Sequence, residues 1–572
     1  MNTAAGPLIV QSDRTVLLEV AHPLADDARH DLAVFAELER APEHIHTYRI
    51  TRLGLWNARA AGHTAAAMLE TLTKYSKFHI PQSVTLDLEE TVGRYGRLVI
   101  ERDDNGTLIL RSTDAAVLSE IVRAKRIAPL LFLPDDQRGK GAAIDRYEIQ
   151  AWARGQLKQE LVKLGWPAED LAGYTPGTPH PISLDTSNWG LREYQNQAIS
   201  SFVDGGSGVI VLPCGAGKTL VGAGAMARVE TTTLILVTNT VSARQWRAEL
   251  LKRTSLTEDE IGEYSGQVKE VKPVTIATYQ ILTAKRKGEY AHLALLDALD
   301  WGLVIYDEVH LLPAPVFKLT AELQARRRLG LTATLVREDG REGDVFSLIG
   351  PKRFDAPWKE IEAQGFISPA SCFEVRINLS QQDRLEYAAS ADDERYRVAA
   401  TAPAKIDVVR ALVKKHEGEC ILVIGQYLDQ IDTLSEILGA PKLTGTTPIE
   451  ERERLYQEFR DGVTKVLVVS KVANFSVDLP EATVAIQVSG SFGSRQEEAQ
   501  RLGRLLRPKQ SGLPANFYTL VVRDTVDQEF AQNRQRFLAE QGYSYTILDS
   551  DGIGEKVLAA GGPNHTSDAR VT

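Results

Sequence analysis

The spacing of hydrophobic positions changes along this chain, and the changes divide it. From residue 46 the apolar positions recur at helical intervals. "LGLWNARAAGHTAAAMLETLTKYS" predicts a helix, a break at Gly62 and a second helix capped by Thr64, with Met68, Leu69 and Leu72 facing inward. A third helix is expected after Pro81. The period then drops to two: "RLVIERDDNGTLILRS" predicts two strands joined at Asn105-Gly106. Three helices followed by a hairpin is the order of a winged helix, and a small α+β docking module has the same order. Residues 116–166 are mixed and mostly helical. Pro167, Pro176, Pro179 and Pro181 then predict a linker.

Beyond that point short apolar runs alternate with helical periods. "GVIVL", "TLILVT", "VTIATY", "GLVIYDE" and "LGLTAT" form one series, and "CILVIG", "KVLVVS", "TVAIQVS" and "FYTLVV" form a second. Such alternation predicts parallel sheets with helices packed on them. The polar stretch "SQQDRLEYAASADDERYRVAAT" between the two series predicts a small helical insert. The expected organisation is an N-terminal segment (1–45), a winged-helix-like domain (46–115), a mixed region ending in a linker (116–189), a first α/β domain (190–372), the insert (373–402), a second α/β domain (403–548) and a disordered tail (549–572).

Composition refines this picture. A chain of 572 residues is too long for one core, and 43% hydrophobic with 25% charged residues is ordinary globular usage. Cys214, Cys372 and Cys420 are far apart, so neither a disulfide framework nor a zinc or iron–sulfur site is indicated. "MNTAAGPLIV" lacks a basic start and a long apolar core, and no run of about 18 apolar residues occurs, so a cytoplasmic protein without membrane partner is expected. A net charge of −10 argues against coating nucleic acid with the whole surface, but permits a basic groove on an acidic body.

Two motifs in the first α/β series carry chemistry. "VIVLPCGAGKTL" reads as strand, turn and helix, with Gly215, Ala216, Gly217, Lys218 and Thr219 at the end of a phosphate-binding loop. Backbone N–H groups and the helix start cradle phosphates, the Lys218 ammonium reaches the outer ones, and the Thr219 hydroxyl suits Mg²⁺. Leu212 stands where the strict pattern has its first glycine, and a glycine-rich helix start with a chance lysine is the plain alternative. "LVIYDEVH" supplies the partner: Asp307 to hold Mg²⁺ through water, and Glu308 to polarise the attacking water. Adjacent carboxylates at a strand end also suit a solvated turn. Together with the loop they point to hydrolysis of ATP. His310 is either a surface histidine or a contact that links ATP to other parts.

In the second series, "SRQEEAQRLGRLLRP" predicts a helix with Gln500, Arg504 and Arg507 on one face. A solvated basic face partnered by Glu497 and Glu498 would look the same. An ATP site needs cations for the charge that builds on the γ-phosphate, and the first domain supplies few, so Arg504 and Arg507 are expected to act as arginine fingers across a cleft between domains.

With these residues in place, "LREYQNQA", "PCGAGKT", "TNTVSARQW", "ATYQIL", "DEVH", "TAT", "VIGQYLDQ", "SKVANFSVDLP" and "QRLGRLLR" follow the order of superfamily 2 helicase motifs. The D-E-x-H variant, the "REDG" after "TAT" and "GSRQEEAQRLGRLLRPK" make residues 190 to about 530 resemble the XPB family, in a prokaryotic form lacking long charged extensions and working without a large transcription-repair complex. "YRITRLGLWNARAAG" extends the resemblance more weakly toward the N-terminus. The resemblance implies two tandem RecA-like domains with a short thumb near 380–400, ATP and Mg²⁺ as cofactors, and 3′→5′ movement on DNA in repair. It implies that Arg192 and Gln195 read adenine, with Gln500 also at the nucleotide. It implies that Thr332 and Thr334 couple ATP state to DNA grip, and that Arg337, Glu338 and Asp339 form a loop near DNA linked to unwinding. The resemblance also implies that residues 116–185 correspond to a damage-recognition domain. The fifth motif departs from the family: Ala473-Asn474 stand where a Gly-Asp pair is usual, while Asp478 matches the later acidic position.

Helicases of this kind hold a strand mainly by its phosphates, with little base specificity. Thr278, Ser470 and the turn after "VTNT" are candidates; "KRK" at 285–287 and "RRR" at 326–328 are basic clusters or equally solvated loops. The leading reading is an ATP-dependent 3′→5′ DNA helicase acting in repair; a duplex translocase serving a nuclease partner and an ATP-gated DNA clamp are the alternatives.

Overall fold

The computed structural model describes residues 6–41, 44–134, 144–213, 215–286, 289–313, 316, 323–333, 342–356, 361–362, 369–470, 482–490, 515–540, 543, 545–550 and 553. The chain divides into two compact units, Met1–Trp358 and Lys359–Thr572.

The first unit begins with a four-stranded antiparallel sheet in the order Leu8–Val10, Thr15–Glu19, Ile45–Ile50, Ala36–Arg40. Helices Arg52–Ala60, Ala65–Tyr75 and Gln82–Arg94 follow, the first two capped by the hydroxyls of Thr51 and Thr64. The hairpin comes next, Leu98–Arg102 against Leu108–Ser112, with Gly106 left-handed at its turn. It is not a free wing. Leu108–Ser112 also pairs with Arg146–Ile149, and Leu98–Arg102 pairs in parallel with Ala168–Asp170. The five strands share one core, in which Leu98, Ile100 and Leu110 pack with Leu118, Ile121, Leu157 and Leu161. The expected boundary at 115/116 therefore cuts a single core, because strand pairing across some 70 residues leaves no local sequence signal.

The expected linker is also structured. Ala168–Asp170 is a strand, and Asp170 is buried between Arg154, whose Nη2 donates to Oδ1 at 2.7 Å, and Lys158, whose Nζ donates to Oδ2 at 2.9 Å. Lys158 also donates to Gln324 Oε1 at 3.0 Å, and Gln324 Nε2 donates to the Leu348 carbonyl at 2.9 Å. That carbonyl accepts Arg328 Nε at 2.8 Å. A polar chain thus runs from the five-stranded sheet into the following α/β domain. Arg328 is fully buried, Arg326 pairs with Asp300, and Arg327 lies 5.7 Å from the Tyr174 ring. The "RRR" cluster is thus neither a phosphate patch nor a solvated loop. Further along, the Pro176 and Thr178 carbonyls accept from Thr231 Oγ1.

The α/β domain has a seven-stranded parallel sheet in the order Ile261–Tyr264, Val274–Thr278, Thr233–Val237, Leu303–Asp307, Arg327–Thr332, Ser207–Val211, Lys352–Asp355. Its edge strand Lys352–Asp355 meets helix Arg52–Ala60: the Lys352 N–H donates to Asn57 Oδ1 at 2.9 Å, and Arg353 Nη1 to the Ala60 carbonyl at 3.3 Å. Helix Glu342–Leu348 packs on helix Arg154–Leu164, with Gln159 donating to Asp344 at 2.9 Å, and Phe346 lies 6.5 Å from Trp56.

The second unit holds another seven-stranded parallel sheet: Lys442–Leu443, Val466–Ser470, Ile421–Gly425, Val484–Gln487, Ala515–Val522, Ala370–Ile377, Tyr545–Asp549. Ala370–Ile377 pairs along its whole length with Ala515–Val522, so the expected boundary at 372/373 divides a strand. The apolar alternation of "CFEVRI" belongs to this sheet. The helical insert itself is Gln381–Ala389 and Asp392–Ala400, with Tyr396 packed edge-on against Phe530 at 4.9 Å. The expected disordered tail lies outside the described residues except for Asp549, Ser550 and Ile553, of which Asp549 ends the last strand.

Candidate nucleotide site

The candidate residues collect at the carboxyl ends of adjacent parallel strands, where open α/β sheets bind ligands. Strand Ser207–Val211 leads through Leu212 and Pro213 into the phosphate loop, and helix Lys218–Val229 follows. Gly215 and Gly217 are both left-handed, at φ 83° and 82°. A Cβ on Gly217 would also lie 2.4 Å from Gln195 Nε2, so this position needs glycine twice over. Cys214 lies outside the described residues.

Gln195 is buried and acts as a buckle. Its Oε1 accepts from the Arg192 N–H at 2.9 Å, and its Nε2 donates to the Ala216 carbonyl at 2.9 Å. Tyr194 OH donates to the same carbonyl at 2.7 Å and accepts from Arg192 Nη1 at 3.1 Å. Arg192 and Gln195 are therefore tied to the phosphate loop, and the tyrosine between them belongs to the same lock. Sequence reading passed over Tyr194, although its position in "REYQ" was the available signal.

Strand Leu303–Asp307 delivers the carboxylate pair opposite the loop. Lys218 Nζ lies 2.9 Å from Glu308 Oε1. Glu308 has a left-handed backbone, φ 48°, uncommon outside glycine, which turns the chain sharply after the strand. His310 is buried: its Nδ1 is 2.7 Å from Thr332 Oγ1 and 3.5 Å from Glu308 Oε2. The plain reading of His310 as a surface histidine is thus excluded. Thr332 ends the strand that runs between the loop strand and the carboxylate strand, so this histidine joins two neighbouring strand ends.

Asp307 is held from two sides. Trp246 Nε1 donates to its Oδ2 at 3.0 Å, and Tyr279 OH donates to its carbonyl at 2.7 Å. Neither donor stood out in the sequence, because their segments lie some 30 to 60 residues away and nothing local marks the contacts. Burial, with Glu308 beside it, pushes the Asp307 carboxyl up to about 6. Burial acts the same way on Glu308, but the Lys218 ammonium and His310 outweigh it and hold this carboxyl below its usual value. Glu308 Oε2 is shielded from solvent and has no hydrogen-bond partner among the described residues, His310 Nδ1 standing 3.5 Å from it. The partly buried carboxylates of Asp307 and Glu308, with the Thr219 hydroxyl on the first turn of the loop helix, make an all-oxygen donor set. It fits a hard divalent cation, which takes one or two protein oxygens and completes its shell with phosphate and water.

The other expected contacts are partly placed. Thr278 is buried at the end of its strand, and Ser470 ends Val466–Ser470 in the second unit with its hydroxyl buried and without a hydrogen-bond partner among the described residues. Lys285 and Arg286 form a two-residue strand antiparallel to Glu289–Tyr290; Lys287 is outside the described residues. Thr334, Arg337, Glu338, Asp339, Asp478, Gln500, Arg504 and Arg507 also lie outside them.

A phosphate loop, a facing carboxylate pair and two parallel-sheet α/β units define an ATP-driven helicase-type motor. Three family models match the chain: ERCC3/RAD25/XPB C-terminal helicase over residues 361–558, type III restriction enzyme res subunit over 188–337, and a helicase conserved C-terminal domain over 8–133. A DNA 3′–5′ helicase XPB from Kineococcus radiotolerans is 64% identical over 97% of this chain and 99% of its own length. The protein of that name from Mycobacterium tuberculosis is 61% identical over 96% and 98%. A transcription and DNA repair factor IIH helicase/translocase subunit XPB from Encephalitozoon cuniculi is 33% identical over 95% and 82%. The chain belongs to the XPB family of superfamily 2 helicases.

Proposed function

We propose that this chain couples Mg²⁺-ATP hydrolysis to 3′→5′ separation of DNA strands in repair, with the work of the ATP site carried by Lys218, Asp307 and Glu308. As a member of its family it is an ATP-dependent DNA helicase, and DNA is its substrate. The observation that carries the residue roles is the 2.9 Å pair between Lys218 and Glu308, which brings the phosphate loop and the carboxylates into one site. Lys218 reaches the outer phosphates, and on changing partner it leaves Glu308 to polarise the attacking water. The N–H groups at the start of helix Lys218–Val229 hold the phosphates. Thr219 and Asp307 hold Mg²⁺, which supplies charge neutralisation on the phosphate oxygens. His310 and Thr332 link the carboxylate turn to the strand leading to Thr334 and the charged loop of Arg337, Glu338 and Asp339.

Arg504 and Arg507 act on the γ-phosphate as it is transferred, with Gln500 beside them. Arg504→Ala should lower turnover about 100-fold while ATP binding is kept. Normal steady-state turnover would remove the arginine from the site. Thr278 and Ser470 serve the DNA strand, and Asp478 the coupling between grip and ATP.

Helicase and translocase activities are separated by comparing two substrates. Displacement of a strand from a 3′-tailed duplex is the expected result. Triplex displacement from blunt duplex without any unwinding would instead make the chain a duplex translocase, the second activity printed in the name of the Encephalitozoon relative. A DNA-stimulated ATPase with neither output would be a clamp. Among the described residues no helix is long and apolar enough to cross a membrane. A nuclease partner is testable by co-purification with the intact chain.

A further inference from the structure

Two segments that the ATP chemistry leaves unused converge on Asp307. Trp246 lies in the middle of helix Thr240–Arg253, and Tyr279 opens the short helix Tyr279–Thr283. Both side chains are buried, and each spends its one polar hydrogen on Asp307, the indole on the carboxylate and the phenol on the carbonyl. The indole is fixed in turn by the phosphate-loop helix: a Cβ on Gly222 would lie 2.5 Å from its ring. One tryptophan therefore bridges the helix that starts at Lys218 and the carboxylate that faces it.

The starts of these two helices are joined to each other. Strands Thr233–Val237 and Val274–Thr278 are parallel neighbours, with Val237 opposite Thr278. Just beyond them, Gln280 Nε2 donates to the Thr238 carbonyl at 2.5 Å. Asn239 caps helix Thr240–Arg253 by accepting from the Ser242 N–H at 2.9 Å. The connected edge Thr238–Asn239 and Thr278–Gln280 is thus one hydrogen-bond step from Asp307 through Tyr279, and two helical turns from it through Trp246.

We propose that Trp246 and Tyr279 are positioning residues for Asp307, and that they form a second link between the carboxyl edge of the sheet at Thr238–Asn239 and Thr278–Gln280 and the cation site, separate from the link through His310 and Thr332. A carboxylate has two oxygens. With Oδ2 engaged by the indole, Oδ1 accepting the Glu308 N–H at 3.1 Å and the backbone fixed by the phenol, the plane of the carboxylate is set, and the second lone pair of Oδ1 is the one left for a cation and its water shell. Without the indole N–H the carboxylate rotates, and the cation site loses its fixed geometry while the phosphate cradle keeps its own. This inference rests on the reading of Asp307 as a cation ligand.

The test uses the full chain, with Trp246→Phe and Tyr279→Phe compared against the unsubstituted protein. A fluorescent ATP analogue is titrated first in EDTA and then against increasing Mg²⁺. Binding in EDTA should be within twofold for all three proteins, because Lys218 and the loop N–H groups are untouched. The Mg²⁺ concentration giving half of the cation-dependent gain in affinity should rise about tenfold for Trp246→Phe, a positioning loss within the range seen for groups behind metal ligands. For Tyr279→Phe the rise should be smaller. Saturating Mg²⁺ should restore ATP turnover in both, while the fold stimulation by a single-stranded oligonucleotide stays reduced. An unchanged Mg²⁺ midpoint in Trp246→Phe would overturn the proposal. So would equal weakening in EDTA and in Mg²⁺, since that outcome places the tryptophan in packing against Gly222 alone. Tyr279→Phe removes a single oxygen and keeps the ring, so it reads the link without a cavity. If the unsubstituted protein bound the analogue equally with and without Mg²⁺, the assignment of Asp307 itself would fall, which is a different result from a shifted midpoint.

Discussion

Lys218→Ala is expected to reduce ATP hydrolysis by about 10²- to 10³-fold, the range for removing one preorganised charge from a transition state. The structure gives two reasons. The ammonium stands on the first residue of the helix that follows the phosphate loop, where the backbone N–H groups also point at an anion. It is also the cation that holds the partly buried Glu308 carboxyl below its usual value, so its loss weakens the group that should polarise water. Lys218→Arg keeps the charge but replaces a compact ammonium with a wide planar fork, and should recover little turnover. Steady-state ATPase assays with saturating DNA decide the matter; full turnover in Lys218→Ala would refute the site. Thermal unfolding of the variant should remain cooperative, since Glu308 is near enough to the surface to recruit water.

The largest effect on stability is expected at Asp170. Asp170→Ala leaves Arg154 and Lys158 buried without their carboxylate, at a cost of about 3–5 kcal/mol. The pH dependence has a definite sign. Burial, followed by neighbouring Arg328 and Arg154, brings the Lys158 ammonium down to about 8 even with Asp170 beside it. Removing Asp170 lowers it further. Between the two values the variant gains stability relative to the parent as pH rises, because its folded form has already shed the buried charge. The loss should therefore be greater at pH 6 than at pH 9. Arg154 cannot shed its proton, so part of the loss persists. The Asp170 carboxyl itself is held below its ordinary value of 3.8 despite its burial, by Lys158 and Arg154. Its contribution in the parent is complete above that value and is lost only as acid takes the pH below it. Urea midpoints at the two pH values, read on amides of the five-stranded sheet, measure both quantities. Equal losses at pH 6 and 9 would contradict the assignment.

The parts of this fold that were legible are those whose signals are local. Apolar runs of five residues between helical periods marked the two parallel sheets, because both faces of such strands are buried. Asn105-Gly106 marked a hairpin because the turn needs a left-handed residue. The phosphate loop and the carboxylate pair were legible because their chemistry fixes residue types at short spacing. Pairing between distant segments was not. Leu98–Arg102 reads as one arm of a hairpin, and nothing near it announces Ala168–Asp170 as its other neighbour. The prolines around that strand suggested a linker, whereas several of them shape a segment packed on the domain that follows. "RRR" looks basic and exposed; only the Leu323, Gln324 and Leu348 carbonyls around Arg328 explain how a guanidinium can be fully buried there. In the site, the two motifs that carry Lys218 and Glu308 were legible, while the direct pairing of those side chains and the indole behind Asp307 required the fold.

The contact between Asn57 and Lys352 bears on how the molecule can be dissected. A parallel sheet that ends in an open strand offers unpaired backbone groups to any other strand, and natural proteins cover such edges. Here helix Arg52–Ala60 supplies the cover, with the Asn57 amide oxygen taking a main-chain N–H of the outermost strand and the Ala60 carbonyl taking Arg353. A fragment starting near residue 190 would keep every residue of the phosphate loop and the carboxylate turn, yet would present Lys352–Asp355 bare. Its fate would be self-association through that edge, so light scattering would lose the fragment before any assay of its ATP chemistry could be trusted.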